Sequence, residues 1–270
     1  MTISRFNNKN LVWGFTGRTR RLDAFVAEKI PVISREFAKK LIKTGMALVN
    51  DKINLKPSTL LSPGDEITVK IAEPKMKVDF PKNILIYEDN DILVISKPSG
   101  LIAHPNDSNW EKFPDALLIG EESVMSVVLN ARPGIIDSKI PRFGLVHRLD
   151  RDTSGVMVLA KNRTSMSRIS EQFRKRKIIK TYWGLVSGKV TGKTGLIEIP
   201  IGRPSGSKKI KAWEYGRHSV TQFKLIAGSE KYALLEIYPR TGRTNQIRVH
   251  LAHAGHPIVG ETCKFYRSAA

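Results

Sequence analysis

The chain has 270 residues, 45 of them lysine or arginine against 25 aspartate or glutamate, for a formal net charge of +20. Its 41% hydrophobic content can fill the core of one or two domains, and the cationic excess reads as a surface for polyanions, either nucleic acid or an acidic membrane face. The single cysteine, Cys263, excludes an internal disulfide and a multi-cysteine metal site, and no apolar stretch approaches the ~20 residues that cross a bilayer.

The amino terminus lacks the apolar core of a signal peptide, so a cytoplasmic protein without membrane contact is expected. Residues 1–19 form a polar, basic extension whose apolar patch, Leu11 to Phe15, suits a short strand. Leu22, Phe25, Val26 and Ile30 fall at helical spacing and Pro31 stops that helix. Ser34 is a natural N-cap for a second helix from Arg35 to Lys43, ended by Gly45. That helix carries an apolar stripe of Phe37, Ala38, Leu41 and Ile42, opposed by Arg35, Lys39, Lys40 and Lys43. A hairpin follows, with Asn50-Asp51 at its turn, and then a Pro63-Gly64-Asp65 turn leads into an alternating strand from Glu66 to Ile71. Two helices and a small sheet over residues 20–71 predict a domain with a basic recognition helix.

Residues 72–83 hold prolines and lysines without a helical or strand period and read as a linker. In the larger unit, 84–270, strands are expected at Ile84–Tyr87, Ile92–Ser96, Gly155–Ala160, Thr181–Ser187, Val220–Ile226 and Ala233–Tyr238. Helices are expected at Ser165–Arg174 and Thr244–Ala254, with Thr244 as the N-cap of the second. Long loops fall at 103–121 and 203–215, the second rich in Gly, Ser and Lys and expected to be mobile near a phosphate backbone.

One stretch stands out chemically. Asp150 lies between Arg148 and Arg151, directly after Leu149 and ahead of the apolar run Val156 to Ala160. A carboxylate bracketed by positive charge at a strand mouth is held ionised, as a nucleophile or general base requires. An Asp that merely shapes a turn before a strand fits the same residues. Asp150 and Asp152 alternate as the ligands of a metal-dependent nuclease would, but the flanking arginines argue against a dense cation site. His104 and His250 have no third clustered ligand, so no metal is expected.

The string Gly144-Leu145-Val146-His147-Arg148-Leu149-Asp150-Arg151-Asp152-Thr153-Ser154-Gly155 resembles the signature of the RluA-type pseudouridine synthases. Lys97-Pro98-Ser99-Gly100-Leu101-Ile102-Ala103-His104-Pro105 resembles the first motif of that family. Lys180-Thr181-Tyr182 is similar to its tyrosine-bearing strand, and Pro239-Arg240-Thr241-Gly242-Arg243-Thr244-Asn245-Gln246-Ile247-Arg248-Val249-His250-Leu251 to its third motif, with Asn245 where histidine is more usual. Residues 20–71 are similar to the S4-like RNA-binding domain that often precedes this catalytic domain. The resemblance implies an α+β protein. A small S4-like α/β domain precedes a catalytic domain built on a mixed, largely antiparallel β-sheet with flanking helices, shortened at its carboxyl end.

The resemblance also assigns roles. Asp150 becomes the catalytic carboxylate, Arg243 its charge partner, and Tyr182 the side chain that faces the target base. Arg148 would fill the gap left when that base is extruded from the RNA, and Arg151 would bind RNA beside it. His147 is expected to orient the loop by hydrogen bonding, Asp152 with Thr153 and Ser154 to cap it, and Lys97, Pro98 and His104 to support it from below. Arg35, Lys39, Lys40 and Lys43 would meet RNA on the S4-like helix. Isomerising uridine exchanges no electrons and adds no atom, so neither metal nor organic cofactor is called for. The expected substrate is large-subunit ribosomal RNA and the expected state a monomer. Transfer RNA as the substrate, or a ribosome-associated RNA-binding protein without catalysis, are the alternatives.

Overall fold

The computed structural model describes residues 10–31, 33–70, 84–105, 108–111, 117, 122–132, 134–137, 139–207 and 209–261. Residues 1–9, the linker at 72–83, most of the 103–121 loop and Cys263 lie outside the described residues. The chain divides into two compact units, Met1–Ile169 and Ser170–Ala270.

The first unit opens with strand β1 (Asn10–Gly14), the two-residue β2 (Arg20–Arg21) and helices α1 (Leu22–Lys29) and α2 (Arg35–Lys43). Strands β3 (Ala47–Val49), β4 (Lys52–Ile53), β5 (Leu60–Leu61) and β6 (Glu66–Lys70) follow. Ser34 Oγ accepts from Phe37 N at 3.1 Å, the expected cap. Ala38, Leu41 and Ile42 of α2 join Leu22, Phe25 and Val26 of α1 in one buried cluster. Burying such side chains stabilises by roughly 1.5–3 kcal/mol each, which sets the helix pair. Asn50 and Asp51 take φ of 51° and 63°, the left-handed pair of a tight hairpin turn between β3 and β4. β1 pairs antiparallel with β6 in a sheet of order β1-β6-β3-β4, so the patch foreseen in the basic extension is a strand of this sheet, with Phe15 in the core.

Later in the same unit, β7 (Leu85–Glu88), β8 (Ile92–Lys97) and β9 (Gly155–Ala160) form an antiparallel sheet in that order. Leu93 faces Leu159 and Ile95 faces Met157, all buried. Helix α3 (Val124–Ala131) was not anticipated, because its run of valines has strand-like composition. A reciprocal cap decides the matter: Ser126 N donates to Ser123 Oγ at 3.1 Å and Ser123 N to Ser126 Oγ at 2.8 Å. The one-turn α4 (Gly134–Asp137) comes next, and then α5 (Arg163–Arg174), which starts two residues before the expected Ser165. Asn162 is its cap, accepting from Ser165 N at 2.9 Å.

The second unit carries β10 (Tyr182–Ser187), β11 (Thr194–Glu198), the short pair β12 (Ile201–Gly202) and β13 (Lys211–Ala212), β14 (Val220–Gly228) and β15 (Tyr232–Pro239). Its main sheet runs β10-β15-β14-β11. Ala233, Leu235 and Ile237 alternate inward along β15 and pack with Val186, Ile197 and Leu251. β11 was missed, and β13, inside the 203–215 stretch expected to be a loop, pairs with β12 just ahead of it. Helix α6 (Gln246–His253) begins two residues later than the sequence suggests. Its cap is Asn245 in the left-handed region, φ 55°, with no side-chain capping bond, so Thr244 is not the N-cap. Asparagine is among the few residues that tolerate this conformation. Across the described strands every pairing is antiparallel, in keeping with the expected α+β class.

Candidate active site

In the first unit the site is built on an inward-facing lysine. The two-residue period of β8 buries Leu93 and Ile95, and the next residue on that face is Lys97, fully buried. An ammonium in that position needs all three of its donors used. Lys97 Nζ donates to Pro98 O at 2.8 Å, Leu101 O at 2.6 Å and Arg151 O at 2.8 Å. Burial lowers its pKa, and the nearby charges of Asp152 and Asp150 oppose that shift. Two more bonds join the same segments: Gly100 N donates to Arg151 O at 3.0 Å and Ser99 Oγ to Asp152 O at 2.9 Å. The Lys97–Leu101 turn is thus latched to the turn that carries Asp150.

Asp150 is half-buried, and its carbonyl accepts from Thr153 N at 3.1 Å, so the residue does close a turn, as the plain structural reading had it. Leu149 beside it is buried and anchors the loop, while Arg148, Arg151 and Asp152 are exposed. His147 Nε2 accepts from Val158 N at 3.0 Å, which ties the loop to β9. Arg148 Nη1 reaches His104 Nε2 at 3.0 Å.

Tyr182 and Arg243 lie in the second unit. Tyr182 opens β10 opposite Ile237 and packs, half-buried, against the sheet core. Arg243 is also half-buried, and its Nε donates to His218 O at 3.2 Å. Its backbone is set by Gln246, whose Oε1 accepts from Arg243 N at 3.0 Å and from Thr241 Oγ1 at 2.7 Å. Gln246 Nε2 donates to Val220 O at 2.9 Å and Thr221 Oγ1 at 3.0 Å. Val220 N donates to Thr241 Oγ1 at 3.0 Å. His250 Nδ1 lies 2.9 Å from Thr221 Oγ1, and its Nε2 lies 3.0 Å from both Ser219 Oγ and Ile199 O. Burial holds the pKa of His250 below its usual value, which suits a neutral ring in an uncharged network.

Thr241, Gln246 and His250 stand in the third motif but were given no such role, and Ser219 and Thr221 carry no sequence signal at all. Nearby, a cleft of about 320 Å³ is lined by Arg174, Arg176, Lys180, Arg240 and Arg243, with Phe173, Ile179 and Tyr238 among its apolar walls and no carboxylate. Lys180 Nζ donates to Thr241 O at 3.1 Å, and burial with the neighbouring Arg176 lowers its pKa.

On the S4-like helix the four cations differ. Arg35 Nη2 donates to Asp23 Oδ1 at 3.1 Å, and Arg21 binds the same fully buried carboxylate through Nε at 3.1 Å and Nη2 at 2.9 Å. Arg21, with Arg35, holds the Asp23 pKa down to about 2. Arg35 therefore staples α2 to α1. Lys39 pairs with Glu36, while Lys40 and Lys43 are exposed. Among the described residues no group of three His, Cys, Asp or Glu side chains could hold a metal ion, and no helix is long and apolar enough to cross a membrane.

Comparison with known proteins places both regions. Residues 91–253 match the model of the RNA pseudouridylate synthase family, and residues 20–67 match the S4 domain. An uncharacterized RNA pseudouridine synthase of Aquifex aeolicus is 38% identical over 261 residues, covering 94% of this chain and 79% of the relative. The ribosomal large subunit pseudouridine synthase D of Escherichia coli K12 is 35% identical, covering 90% of this chain and 72% of the relative. Among solved structures, human RNA pseudouridylate synthase domain containing 4 aligns with a TM-score of 0.51 at 28% identity, over 67% of this chain and 68% of that one. A chain that carries these motifs in order, matches the family model over more than half its length and aligns with such relatives over most of its length belongs to the RNA pseudouridylate synthases, with an S4 RNA-binding domain at its amino-terminal side.

Proposed function

We propose that this pseudouridine synthase isomerises uridines of large-subunit ribosomal RNA, acting in the cytoplasm as a monomer, with Asp150 as the carboxylate at the glycosidic bond. The observation that carries the site assignment is the Lys97 latch. A buried ammonium closes its own Pro98–Leu101 segment with two bonds and ties it through Arg151 O to the turn on which Asp150 stands, an outlay that a simple connecting turn does not need.

The reaction breaks the C1′–N1 bond, rotates the base and forms C1′–C5; C5 gives up a proton and N1 gains one, so atoms and electrons balance without a cofactor. In our reading the flanking cations keep Asp150 ionised, with Arg243 as its charge partner by family resemblance, and Tyr182 faces the base. The cationic cleft beside Arg243, free of carboxylates among its lining residues, suits the phosphates of the strand next to the target. Arg148 occupies the position in the stack that the extruded nucleotide leaves, Arg151 meets the adjacent backbone, and Lys40 and Lys43 extend the contact on the S4 helix.

The ribosomal assignment draws on the large-subunit synthases to which the chain is similar and on the S4 domain that precedes the catalytic motifs. Mapping pseudouridine in RNA from cells with and without the gene tests it. Loss of defined sites in large-subunit RNA is expected; loss confined to transfer RNA would move the substrate, and loss at no site would remove it.

A further inference from the structure

His104 belongs to the first motif, yet its ring touches neither the Lys97 latch nor the Asp150 turn among the bonds described above. It meets Arg148 instead. Its Nδ1 lies 2.7 Å from Pro105 O, so that nitrogen carries the proton and donates. Nε2 is then the lone-pair nitrogen, and it accepts from Arg148 Nη1 at 3.0 Å, with Arg142 Nη2 at 3.4 Å. The ring stacks on Trp110 at 5.3 Å and 22°. Trp110 is buried, packs against Phe143 at 5.9 Å, and carries the Arg142 guanidinium over its face at 5.9 Å.

The platform is rigid for a backbone reason. Arg142, Phe143 and Gly144 take φ of 53°, 48° and 83°, three left-handed residues in a row. A Cβ at Gly144 would lie 1.9 Å from Ala160 O, so only glycine lets this turn close against β9. Arg142 Nε sits 3.2 Å from Glu111 Oε1, near enough for an ion pair though off the hydrogen-bonding line. Among the described residues, the charged groups facing His104 are Arg148, Arg142 and Glu111. Burial and the two arginines push its pKa below the ordinary imidazole value, against the Pro105 carbonyl and Glu111.

We propose that His104 is a positioning residue for Arg148: its Nε2 lone pair holds the exposed guanidinium at the rim of the catalytic loop and releases it into the RNA as the target nucleotide leaves the stack. A neutral acceptor suits that exchange. A carboxylate in its place would bind the arginine about twice as strongly, through a charge-assisted bond, and would slow its release. The inference rests on the reading of Arg148 as the gap-filling side chain.

The test is a double-mutant cycle in the full chain. The probe is an RNA fragment that carries the mapped uridine beside a 2-aminopurine, and the readouts are the fluorescence rise on base extrusion, single-turnover conversion and RNA affinity. His104→Leu is expected to slow extrusion about tenfold, equivalent to about 1.4 kcal/mol, with RNA affinity unchanged. His104→Gln, which keeps a neutral acceptor, should restore the rate to within about threefold of wild type. In an Arg148→Ala background, His104→Leu should have no further effect. The wild-type extrusion rate should also fall on acidification with a midpoint below 6.5, a limb that His104→Gln removes. Additive effects of the two substitutions, or failure of His104→Gln to restore the rate, would overturn the role of His104 alone. Normal extrusion in Arg148→Ala would overturn the reading of Arg148 and this inference with it.

Discussion

Two turns carry the proposed chemistry, and they are held by different means. The Asp150 turn in the first unit is latched by one buried cation, Lys97, whose bonds all end on backbone carbonyls, with Gly100 N and Ser99 Oγ adding one bond each. The Arg243 turn in the second unit is fixed mainly by neutral side chains, Gln246, Thr241, Thr221, Ser219 and His250, bonded to one another and to the backbone, with Lys180 adding one bond to Thr241 O. Each choice matches the charge that its turn presents. A cation behind a carboxylate favours its ionised form, whereas a network of uncharged side chains fixes an arginine's backbone without adding a charge of its own. The cation anchor concentrates its contribution in one residue, and the neutral network spreads it.

That difference sets the size of the expected damage. Lys97→Met removes the donor to Pro98 O and Leu101 O and one of the two donors to Arg151 O, and should cost about 3–5 kcal/mol of stability, read by denaturant unfolding, with activity lost as well. A cost under about 1 kcal/mol would mean that water can replace the ammonium and that the latch is not what holds the turn. Gln246→Leu should cost less, about 2–3 kcal/mol, because the hydroxyls of Thr241 and Thr221 can turn to other partners. Its effect on activity should fall on kcat more than KM, since it displaces the Arg243 backbone without removing a cation. Equal losses in the two variants would erase the contrast between a concentrated and a distributed anchor.

The smallest effect is one of pH. His250 has its pKa lowered by burial, so the unfolded chain takes up that proton first. The stability that depends on the neutral ring is therefore complete above about 6.5 and is lost as pH falls through the lower folded value. Acidification can only favour the charged form of Lys97 on which the latch depends. Amide protection relative to the intrinsic exchange rate should fall in mild acid at Arg243 and Val220, whose N–H groups donate into the neutral network, while protection at Gly100 beside the Lys97 latch should not. Equal loss of protection at all three would tell against separate anchors.

The sequence made the frame of this picture legible where local chemistry acts alone. Ser34 announced its helix, Asn50-Asp51 its hairpin, and the alternation of Leu93 and Ile95 their strand. Helix α3 was hidden because valines favour strands unless a cap overrides them, and the cap was a serine pair rather than the Ser-to-Glu pattern. The start of α6 was misplaced because the side chain that organises it, Gln246, bonds to the residues ahead of it. Residues quoted for the motifs did fall into ordered, hydrogen-bonded turns. What they bond to could not be read, since Ser219 lies 31 positions from His250 and Lys97 lies 54 from Arg151. Arg35 shows the same limit, because nothing in its helix period reveals that Asp23 has claimed it.

The central claim is that Asp150 is the reacting carboxylate on a turn built to hold it. Single-turnover conversion of the mapped RNA by Asp150→Asn tests this directly, because the substitution keeps the side chain's shape and removes its charge. The account predicts no detectable pseudouridine, with RNA affinity and the unfolding transition both retained. Conversion within about tenfold of the wild-type rate, a barrier change of only about 1.4 kcal/mol, would contradict it.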